Sequence, residues 1–330
     1  MYKNIDTLCL QGGGCKDIVI IGALRILEER GILQNIKNYA GSSAGAIIIT
    51  LLCIGYTPNE IEDTIFSQNS KLVNDLFIKI PFHLLFKYGL YDGMKMVKYI
   101  EKLFIEKGFD PNITFEQLNK RCNKILVLTG TSLNIMDTFY FNCHTTPDMK
   151  VIDALRISIS IPLFFTSVEY IINSVKHTFV DGGVLNNCPM YYFNIVDETG
   201  KYILTCKELI KQKLLKDNIF IDCSNTIGIM YLDTDQSKNV DDFYQGFNII
   251  NNIYQYCVAL LDTLLIKIQE DNFRNPLTGS KENFFRNIIC VKLPFKVNAV
   301  NFDLPQEQKD LLVKAGEDAA KEYFNLVKLD

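Results

Sequence analysis

The chain has 330 residues, enough for one large α/β domain or for two smaller ones. Hydrophobic residues make up 48% of it and charged residues 22%, a balance that excludes an intrinsically disordered protein. The net charge of −4 excludes a protein that binds nucleic acid through bulk positive charge.

The cysteines and the apolar stretches indicate the cellular compartment in which the protein is expected. Ten cysteines are scattered along the chain without any C-x-x-C spacing, which is typical of free thiols in a reducing environment. The first residues lack the apolar segment of a signal peptide. No stretch approaches the roughly 18 apolar residues of a membrane span. We therefore expect a cytoplasmic protein whose contact with membranes, if any, is peripheral and transient.

The first elements surround a glycine-rich loop. Residues 5–10 predict a strand, residues 12–14 are three consecutive glycines, and residues 18–30 have the pattern of an amphipathic helix. A phosphate-binding loop would require Gly-Lys-Ser/Thr, whereas this loop ends in Lys16 and Asp17. An oxyanion hole needs only two well-directed backbone N–H groups, which such glycines can offer.

The second strand leads into a G-x-S-x-G turn. Residues 36–40 predict the strand, Gly41–Gly45 the turn, and the apolar residues 46–56 a helix. Strand, turn and helix together are the pattern of a nucleophile elbow, in which Ser43 would stand clear of the backbone. A common glycine-serine turn is the alternative. The βαβα order favours a parallel sheet.

The segment that follows is expected to be mainly helical between residues 57 and 112. Within it, residues 76–91 combine bulky apolar side chains with Lys79 and Lys87, and Pro81 interrupts them. The segment fits core packing with exposed lysines. It also fits an interfacial lid that touches lipid.

The later elements include a third candidate loop. We expect a capping box at Thr114, strands at 125–133 and 138–143, a helix at 152–159 and a short buried strand at 178–180. That strand ends in Asp181-Gly182-Gly183, which would expose the carboxylate at the sheet edge, although D-G-G is also a common turn. Further elements are predicted at 196–215, which includes a basic helix, and at 227–232, 241–270, 288–293 and 306–324, and no linker divides the chain.

A serine nucleophile needs a base, and the histidines are few. The chain contains only His83, His144 and His177, and none follows Asp181 as the order of an α/β-hydrolase would require. The sequence therefore favours a two-residue site in which Asp181 takes the Ser43 proton. We expect partial burial to raise the pKa of Asp181 above its ordinary value of about 3.9.

These motifs, taken together, resemble the patatin-like phospholipase family. The resemblance covers residues 8–194 and rests on the three loops in order and on further segments between them. Those segments are residues 153–158, Ser160-Ile161-Pro162, Phe164-Phe165 and Asn187-Cys188-Pro189. The resemblance implies a three-layer α/β/α fold with a mostly parallel central sheet. Residues 195–330 would then form a helical and strand extension packed on the same domain.

The resemblance also implies roles for particular residues. Ser43 would be the nucleophile and Asp181 its partner, with Gly13 and Gly14 supplying oxyanion N–H groups. The supporting motif residues would be Gly12, Lys16, Gly41, Gly45, Gly182 and Gly183. Asp17 departs from the family, whose loop usually closes with glycine. A carboxylate is welcome at a helix start but repels an oxyanion, although Lys16 would offset the repulsion.

The implied activity is that of a lipid acyl hydrolase. The protein would cleave acyl esters of phospholipids or lysophospholipids through an acyl-serine intermediate, with no metal or cofactor and no nucleic-acid partner. Two other hypotheses remain open. One is a soluble esterase or thioesterase that uses His177 or His144, and the other is a non-catalytic lipid-binding module, for which Asp17 is the support.

Overall fold

The computed structural model describes most of the chain outside three long segments. It describes residues 5–67, 88–193, 195–197, 219–221, 223–232, 259, 263 and 287–326. The strands are β1 Thr7–Leu10, β2 Asn38–Gly41, β3 Gly89–Tyr91, β4 Ile125–Ser132, β5 Asp137–Phe141, β6 Leu163–Phe165, β7 Val168–Ile172, β8 Val175–Asp181, β9 Ile195–Asp197, β10 Ile219–Ile221, β11 Thr226–Leu232 and β12 Ile288–Lys292. The α-helices are α1 Ile18–Glu29, α2 Ser43–Cys53, α3 Pro58–Ile61, α4 Met94–Glu106, α5 Phe115–Cys122, α6 Val151–Ser158 and α7 Gln306–Leu326.

One large sheet organises these elements. Its strand order is β12-β11-β1-β2-β4-β8-β7, with β5 paired to β4. The five strands from β12 to β4 run parallel, whereas β8, β7 and β5 are antiparallel to their neighbours. The predicted fold class is therefore confirmed: a mixed α/β fold with a mostly parallel central sheet flanked by helices.

The parallel strands are buried because both of their faces are covered. All four residues of β1 are buried, as expected for a strand in the middle of a parallel sheet. One face belongs to a large apolar cluster that includes α1, α2 and α7. The other face carries Cys9, Ala40 and Val127, which pack against Met190 and Tyr192 of the segment after the D-G-G loop.

Helix α7 packs unusually closely on α1. A Cβ atom at Gly316 would lie 1.8 Å from the carbonyl oxygen of Val19, and one at Gly22 would lie 1.9 Å from that of Val313. Two glycines facing each other's helix let the backbones approach closely. Helix α1 follows the glycine loop directly, so this contact holds the part of the chain on which that loop depends.

Most predicted elements are present, with bounds that differ by a few residues. The helix after the elbow begins at Ser43 rather than at residue 46, and the capping box at Thr114 is confirmed. The short strand β3 interrupts the segment expected to be helical. Residues 68–87, most of the candidate lid, lie outside the described residues, as do nearly all of 196–215 and 241–270. The division of the chain at residue 194 stays a prediction.

The described ranges contain neither a membrane-spanning helix nor a metal-binding cluster of side chains. None of the helices there has the length and apolarity needed to cross a membrane. In that same part of the chain, no group of three or more His, Cys, Asp or Glu side chains is arranged to hold a metal ion.

Candidate active site

Ser43 lies at the turn between β2 and α2. Its φ of 53° is in the left-handed region, which is uncommon for a residue other than glycine and is characteristic of strained functional turns. The flanking glycines leave the room that this turn needs, since a Cβ atom at Gly45 would lie 2.3 Å from the Gln11 carbonyl oxygen. The Ser43 N–H donates to Ser158 Oγ at 3.1 Å, which ties the elbow to α6.

Asp181 is the hydrogen-bond partner of the Ser43 side chain. Ser43 Oγ donates to Asp181 Oδ2 at 2.6 Å, and the Gly183 N–H donates to Asp181 Oδ1 at 2.7 Å. Ser43 is only 6% exposed and Asp181 only 4%. Position 182 has room only for glycine, because a Cβ atom there would lie 2.0 Å from Thr129 Oγ1.

The sheet brings these two residues together through an antiparallel strand. Gly41, the last residue of β2, pairs with Leu128 of β4, and Asp181 pairs with Gly130, two residues further along β4. The strand that leads into the third loop, β8, therefore runs antiparallel to β4, unlike the strands that precede the first two loops. Strand β8 enters from beyond the carboxyl edge and ends where the parallel strands also end.

Burial tunes the acidity of Asp181 in the direction predicted from the sequence. Loss of hydration raises the pKa of the carboxyl to about 7, while the hydrogen bonds from Ser43 and Gly183 lower it. A carboxylate with a pKa near neutrality can accept a proton from a hydroxyl and return it to a leaving group. Asp181 is therefore suited to act as general base and then as general acid through its Oδ2 atom.

The glycine loop lies beside this pair and is anchored at Gly12. The Gly12 N–H donates to the Asn187 carbonyl oxygen at 3.1 Å, and Asn187 Nδ2 donates to the Gly12 carbonyl oxygen at 2.7 Å. Tyr231 Oη donates to the same Gly12 oxygen at 3.1 Å. Burial raises the pKa of Asp17 well above its ordinary value, and the Gly13 N–H, which is directed at that carboxyl, acts in the opposite direction.

The three glycines are each enforced by a close neighbour. A Cβ atom would lie 2.4 Å from the Ser42 carbonyl oxygen at Gly12 and 1.3 Å from Tyr231 Oη at Gly13. At Gly14, φ is +61° and a Cβ atom would lie 2.1 Å from the Ala299 carbonyl oxygen. The loop thus sits between the elbow and two segments from the C-terminal part of the chain.

Lys16 and Asp17 end the loop in different surroundings. The Lys16 ammonium lies 6.0 Å from the centre of the Tyr231 ring, at the outer limit of a cation–π contact. Asp17 is fully buried, and its side chain does not cap α1. Asp17 is therefore part of the interior behind the glycines and not a surface residue at a helix start.

The histidines are located elsewhere. His177 Nδ1 lies 3.0 Å from Ser132 Oγ, and its ring packs against Phe139 and Phe179. His144 is exposed in the loop after β5, and His83 lies outside the described residues. The Ser43 hydroxyl donates to Asp181 and not to either described histidine.

Three residues of the site carried no functional prediction from the sequence. Ser158 and Asn187 stand in segments that resemble the family, but their contacts with Ser43 and Gly12 had no local signal. Tyr231 lies on β11, more than 180 residues after Ser43, and it is 2% exposed. Only the pairing of β11 with β1 brings it to the loop.

Comparison with known proteins agrees with this geometry. The family model described as Patatin-like phospholipase matches residues 8–194, more than half of the chain. An uncharacterized protein, R571 of Acanthamoeba polyphaga mimivirus, is 28% identical over 98% of this chain and 94% of its own length. The probable lipid hydrolase 463L of Invertebrate iridescent virus 6 is 31% identical over 57% of this chain and 63% of its own length.

A solved structure agrees at the level of the fold. VipD from Legionella pneumophila superposes with a TM-score of 0.57 at 16% sequence identity, covering 98% of this chain and 67% of VipD. At that identity the likeness shows a shared fold and nothing about substrate. With the family match and the three loops at one sheet edge, the conclusion is that this chain belongs to the patatin-like phospholipase family, and so to the lipid hydrolases.

Proposed function

We propose that the protein is a serine acyl hydrolase of the phospholipase A or lysophospholipase type. The observation that carries the proposal is the 2.6 Å hydrogen bond from Ser43 Oγ to the buried carboxyl of Asp181. Membership of the family supports a lipid as the substrate class. The name of the relative 463L, a probable lipid hydrolase, supports it too, over the 63% of that protein that the match spans.

In the first half of the reaction, Ser43 Oγ attacks the acyl carbonyl carbon. The hydroxyl proton passes to Asp181 Oδ2 as the new C–O bond forms. The carbonyl oxygen becomes an oxyanion, and the N–H groups of Gly13 and Gly14 are the donors proposed to stabilise it. The tetrahedral intermediate collapses when the bond to the alcohol breaks, and the leaving oxygen takes the proton from Asp181.

In the second half, water replaces the alcohol. Asp181, now ionised again, accepts a proton from water as the water oxygen attacks the acyl-serine carbonyl. Collapse of the second tetrahedral intermediate releases the fatty acid and returns the proton to Ser43 Oγ. The same carboxyl thus acts as base and acid twice, which suits a group whose pKa is about 7.

The two other hypotheses from the sequence receive less support. A histidine-dependent esterase would need His177 or His144 at Ser43, but His177 contacts Ser132 and two aromatic rings instead. A non-catalytic lipid-binding module rested on repulsion from Asp17, which is buried behind the loop rather than exposed beside the substrate. Neither hypothesis accounts for the hydrogen-bonded pair of Ser43 and Asp181.

The sheet edge that carries the site also supports contact with a lipid surface. Strand β4 continues from Leu128, the partner of Gly41, to Ser132, so the turn after β4 lies on the same edge as the elbow. That turn exposes three apolar side chains, Leu133, Ile135 and Met136. We propose that this turn touches the membrane while substrate is taken up.

Release of fatty acid from vesicles of mixed phospholipids tests the proposal. We expect Ser43→Ala and Asp181→Asn each to lower the rate by at least about 10³-fold, because each removes a group that the covalent step needs. Identification of the products, fatty acid with lysophospholipid or with a fully deacylated head group, assigns the type of phospholipase.

The matched controls are Ser132→Ala and Asp148→Asn. The first removes another buried serine hydroxyl, the one that contacts His177, and the second removes an exposed carboxylate. Both control variants should retain the wild-type rate within about twofold. In a separate measurement, a fluorophosphonate probe should label wild-type protein at Ser43. An Asp181→Asn protein with full activity would exclude the two-residue mechanism.

A further inference from the structure

The end of helix α6 contacts both residues of the proposed dyad, and the mechanism above does not use it. The Ser43 N–H donates to Ser158 Oγ at 3.1 Å, and the Asp181 N–H donates to the Ser160 carbonyl oxygen at 2.9 Å. Ser158 is the last residue of α6, and Ser160 follows two positions later. A segment of three residues therefore holds the backbone of both the nucleophile and its base.

The sheet by itself connects these two residues only indirectly. Strands β2 and β8 both pair with β4, at Leu128 and at Gly130, and in the described sheet they do not pair with each other. Ser43 lies two positions after Gly41, where β2 ends. Helix α6 lies directly against this part of β4, since a Cβ atom at Gly130 would lie 2.5 Å from Ile157 Cγ2. The end of α6 thus supplies a second connection between nucleophile and base.

Ser158 supplies an acceptor that the elbow itself lacks. The Ser43 N–H is one of the four at the start of α2 that have no acceptor within their own helix. Ser43 also has a φ of 53°, a conformation that persists only where the surroundings hold it. Ser158 is fully buried, and among the described residues its hydroxyl has no other hydrogen-bond partner. Removing that hydroxyl would leave the Ser43 N–H buried without an acceptor and would loosen the turn.

Arg156 holds the turn that follows Ser158. Its Nη1 donates to Ser160 Oγ at 2.5 Å, and its Nη2 donates to the carbonyl oxygen and to Oγ1 of Thr166, at 3.0 and 2.9 Å. Ser160 Oγ in turn donates to the Arg156 carbonyl oxygen at 2.6 Å, which satisfies one of the carbonyls left free at a helix end. The guanidinium thereby joins the end of α6 to the residue after β6.

An ion pair does not explain this buried guanidinium. Arg156 is 9% exposed, and no carboxylate of the described residues forms a salt bridge with it. Burial lowers the pKa of Arg156 to about 10, and the charge of Asp92 acts in the opposite direction. Burying a charge without a paired acid is costly. The hydrogen bonds to the turn are therefore what this side chain contributes in return.

We propose that Ser158 and Arg156 are positioning residues for the dyad. Ser158 holds the Ser43 amide, and Arg156 fixes the turn whose Ser160 carbonyl holds the Asp181 amide. Together they keep Ser43 Oγ and Asp181 Oδ2 at hydrogen-bond distance. This inference rests on the proposed serine-hydrolase function and deepens it. A misplacement of about 1 Å between reacting groups can slow a reaction by about 10²-fold.

The first test is Ser158→Ala, assayed on a soluble short-chain ester. We expect kcat to fall about 10- to 100-fold while KM changes by less than about threefold, because the ester still binds but the proton transfer is misaligned. The matched control is Ser132→Ala, which removes another fully buried serine hydroxyl and should keep both constants within about twofold. An unchanged kcat in Ser158→Ala would contradict the proposal.

Labelling of Ser43 by a fluorophosphonate separates slow chemistry from loss of folded protein. If Ser158 positions the dyad, Ser158→Ala lowers the rate constant of labelling by the same factor as kcat, and the final stoichiometry equals that of wild type. If Ser158 only stabilises the fold, the stoichiometry falls instead, and the molecules that remain folded react at the wild-type rate. The second outcome would overturn the proposal.

Arg156→Lys tests the other positioning residue in the same assay. Lysine keeps the positive charge, but its ammonium lacks the planar group that bridges Ser160 and Thr166. We expect labelling about tenfold slower than in wild type, at full stoichiometry. Should Arg156→Lys fail to fold, Ser160→Ala removes a single acceptor of the guanidinium and should label about threefold more slowly. A wild-type labelling rate in the variant that folds would reject the role of Arg156.

The pH dependence of kcat/KM reports on the geometry of the dyad and not on the amount of folded protein. The hydrogen bond from Ser43 lowers the pKa of Asp181. Weakening that bond in Ser158→Ala should therefore move the rise of kcat/KM to higher pH, whereas Ser132→Ala should keep the wild-type midpoint. A wild-type midpoint in Ser158→Ala would contradict the proposed loosening of the dyad.

Hydrogen exchange gives a reading that does not depend on activity. The Ser43 amide should exchange at least about tenfold faster in Ser158→Ala than in wild type, because its acceptor is gone. Equal exchange rates in the two proteins would overturn the inference. Absence of both hydrolysis and Ser43 labelling in wild type would instead reject the proposed function, and the exchange rates would still show whether Ser158 holds the elbow.

Discussion

At the scale of single residues, the chemistry of the site depends on which groups are buried away from water. Ser43 and Asp181 are both buried, and the carboxyl has two hydrogen-bond donors directed at it. Burial raises the pKa of Asp181 to about 7, and the hydrogen bonds from Ser43 and Gly183 act in the opposite direction. The balance leaves a group that can change protonation state during one catalytic cycle.

This balance predicts how the rate depends on pH. The base must be ionised to take the Ser43 proton, so kcat/KM should rise with pH and level off above about 7. A profile measured between pH 5 and 8 on a soluble short-chain ester tests this without the complication of vesicle charge. A rate that is already constant at pH 5 would contradict the raised pKa.

The same pKa shift predicts how stability depends on pH. The native state holds the Asp181 proton up to about pH 7, and the unfolded chain releases it near 3.9. The native state therefore binds more protons between those values, and the free energy of unfolding should fall as pH rises. Relative to Asp181→Asn, the fall is on the order of 4 kcal/mol across that window. Urea unfolding of both proteins at pH 4, 5.5 and 7 measures it, and parallel curves would contradict it.

At the scale of elements, two helices hold the glycine loop from behind. Helix α1 begins directly after Asp17, and α7 packs on α1 through the facing glycines Gly22 and Gly316. The segment before α7 also accepts the Cys15 N–H at the Ala299 carbonyl oxygen, at 2.9 Å. The loop's position therefore depends on the C-terminal part of the chain, beyond the residues that match the family model.

We expect Gly316→Ala to destabilise the protein. Alanine has the higher helix propensity, by up to about 1 kcal/mol. Its Cβ atom, however, would lie 1.8 Å from the Val19 carbonyl oxygen, and a backbone atom cannot move aside alone. The net loss should be about 1–3 kcal/mol in the free energy of unfolding, measured by urea unfolding.

The matched control for that variant is Asp318→Ala, on the exposed face of the same helix. It should change the free energy of unfolding by no more than about 0.5 kcal/mol. A Gly316→Ala protein as stable as wild type would mean that the two helices can separate without cost. The close packing would then not be what fixes the position of α1.

At the scale of the whole molecule, one sheet edge carries both the chemistry and an exposed apolar turn. We expect the double variant Ile135→Ser/Met136→Ser to hydrolyse phospholipid vesicles about tenfold more slowly. Removing roughly 1.4 kcal/mol of apolar transfer free energy weakens partitioning by that factor. The rate on a monomeric short-chain ester should stay within twofold, because neither side chain belongs to the proposed catalytic machinery.

The control is Leu326→Ser, at the last residue of α7. This end of α7 lies near the C-terminal end of α1, where the Arg30 guanidinium sits 4.4 Å from the Phe324 ring centre, away from the elbow edge. It removes an equally exposed apolar side chain and should leave both rates unchanged. Equal losses on vesicles and on the soluble ester would show that the turn acts on folding or catalysis rather than on membrane contact.

The family, the order of the elements and the residues of the proposed dyad could all be predicted from the sequence. This prediction was possible because the elbow, the glycine loop and the D-G-G turn are local motifs. Each depends on the backbone conformation of only a few consecutive residues. The hydrophobic periods of β1, α1 and β4 are local in the same sense. The raised pKa of Asp181 also followed, since a carboxyl at the end of a buried strand loses water wherever that strand is paired.

The surroundings behind the site depend on long-range packing and could not be predicted from the sequence. Strand β8 runs antiparallel to β4, a direction that depends on long-range pairing and leaves no mark in the strand's own residues. Asp17 looked from the sequence like a helix-start residue beside an oxyanion, whereas packing of β11 beside β1 places Tyr231 against it and buries it. Asp17 and Tyr231 are more than 200 positions apart, so the burial of Asp17 is visible only when the chain is folded.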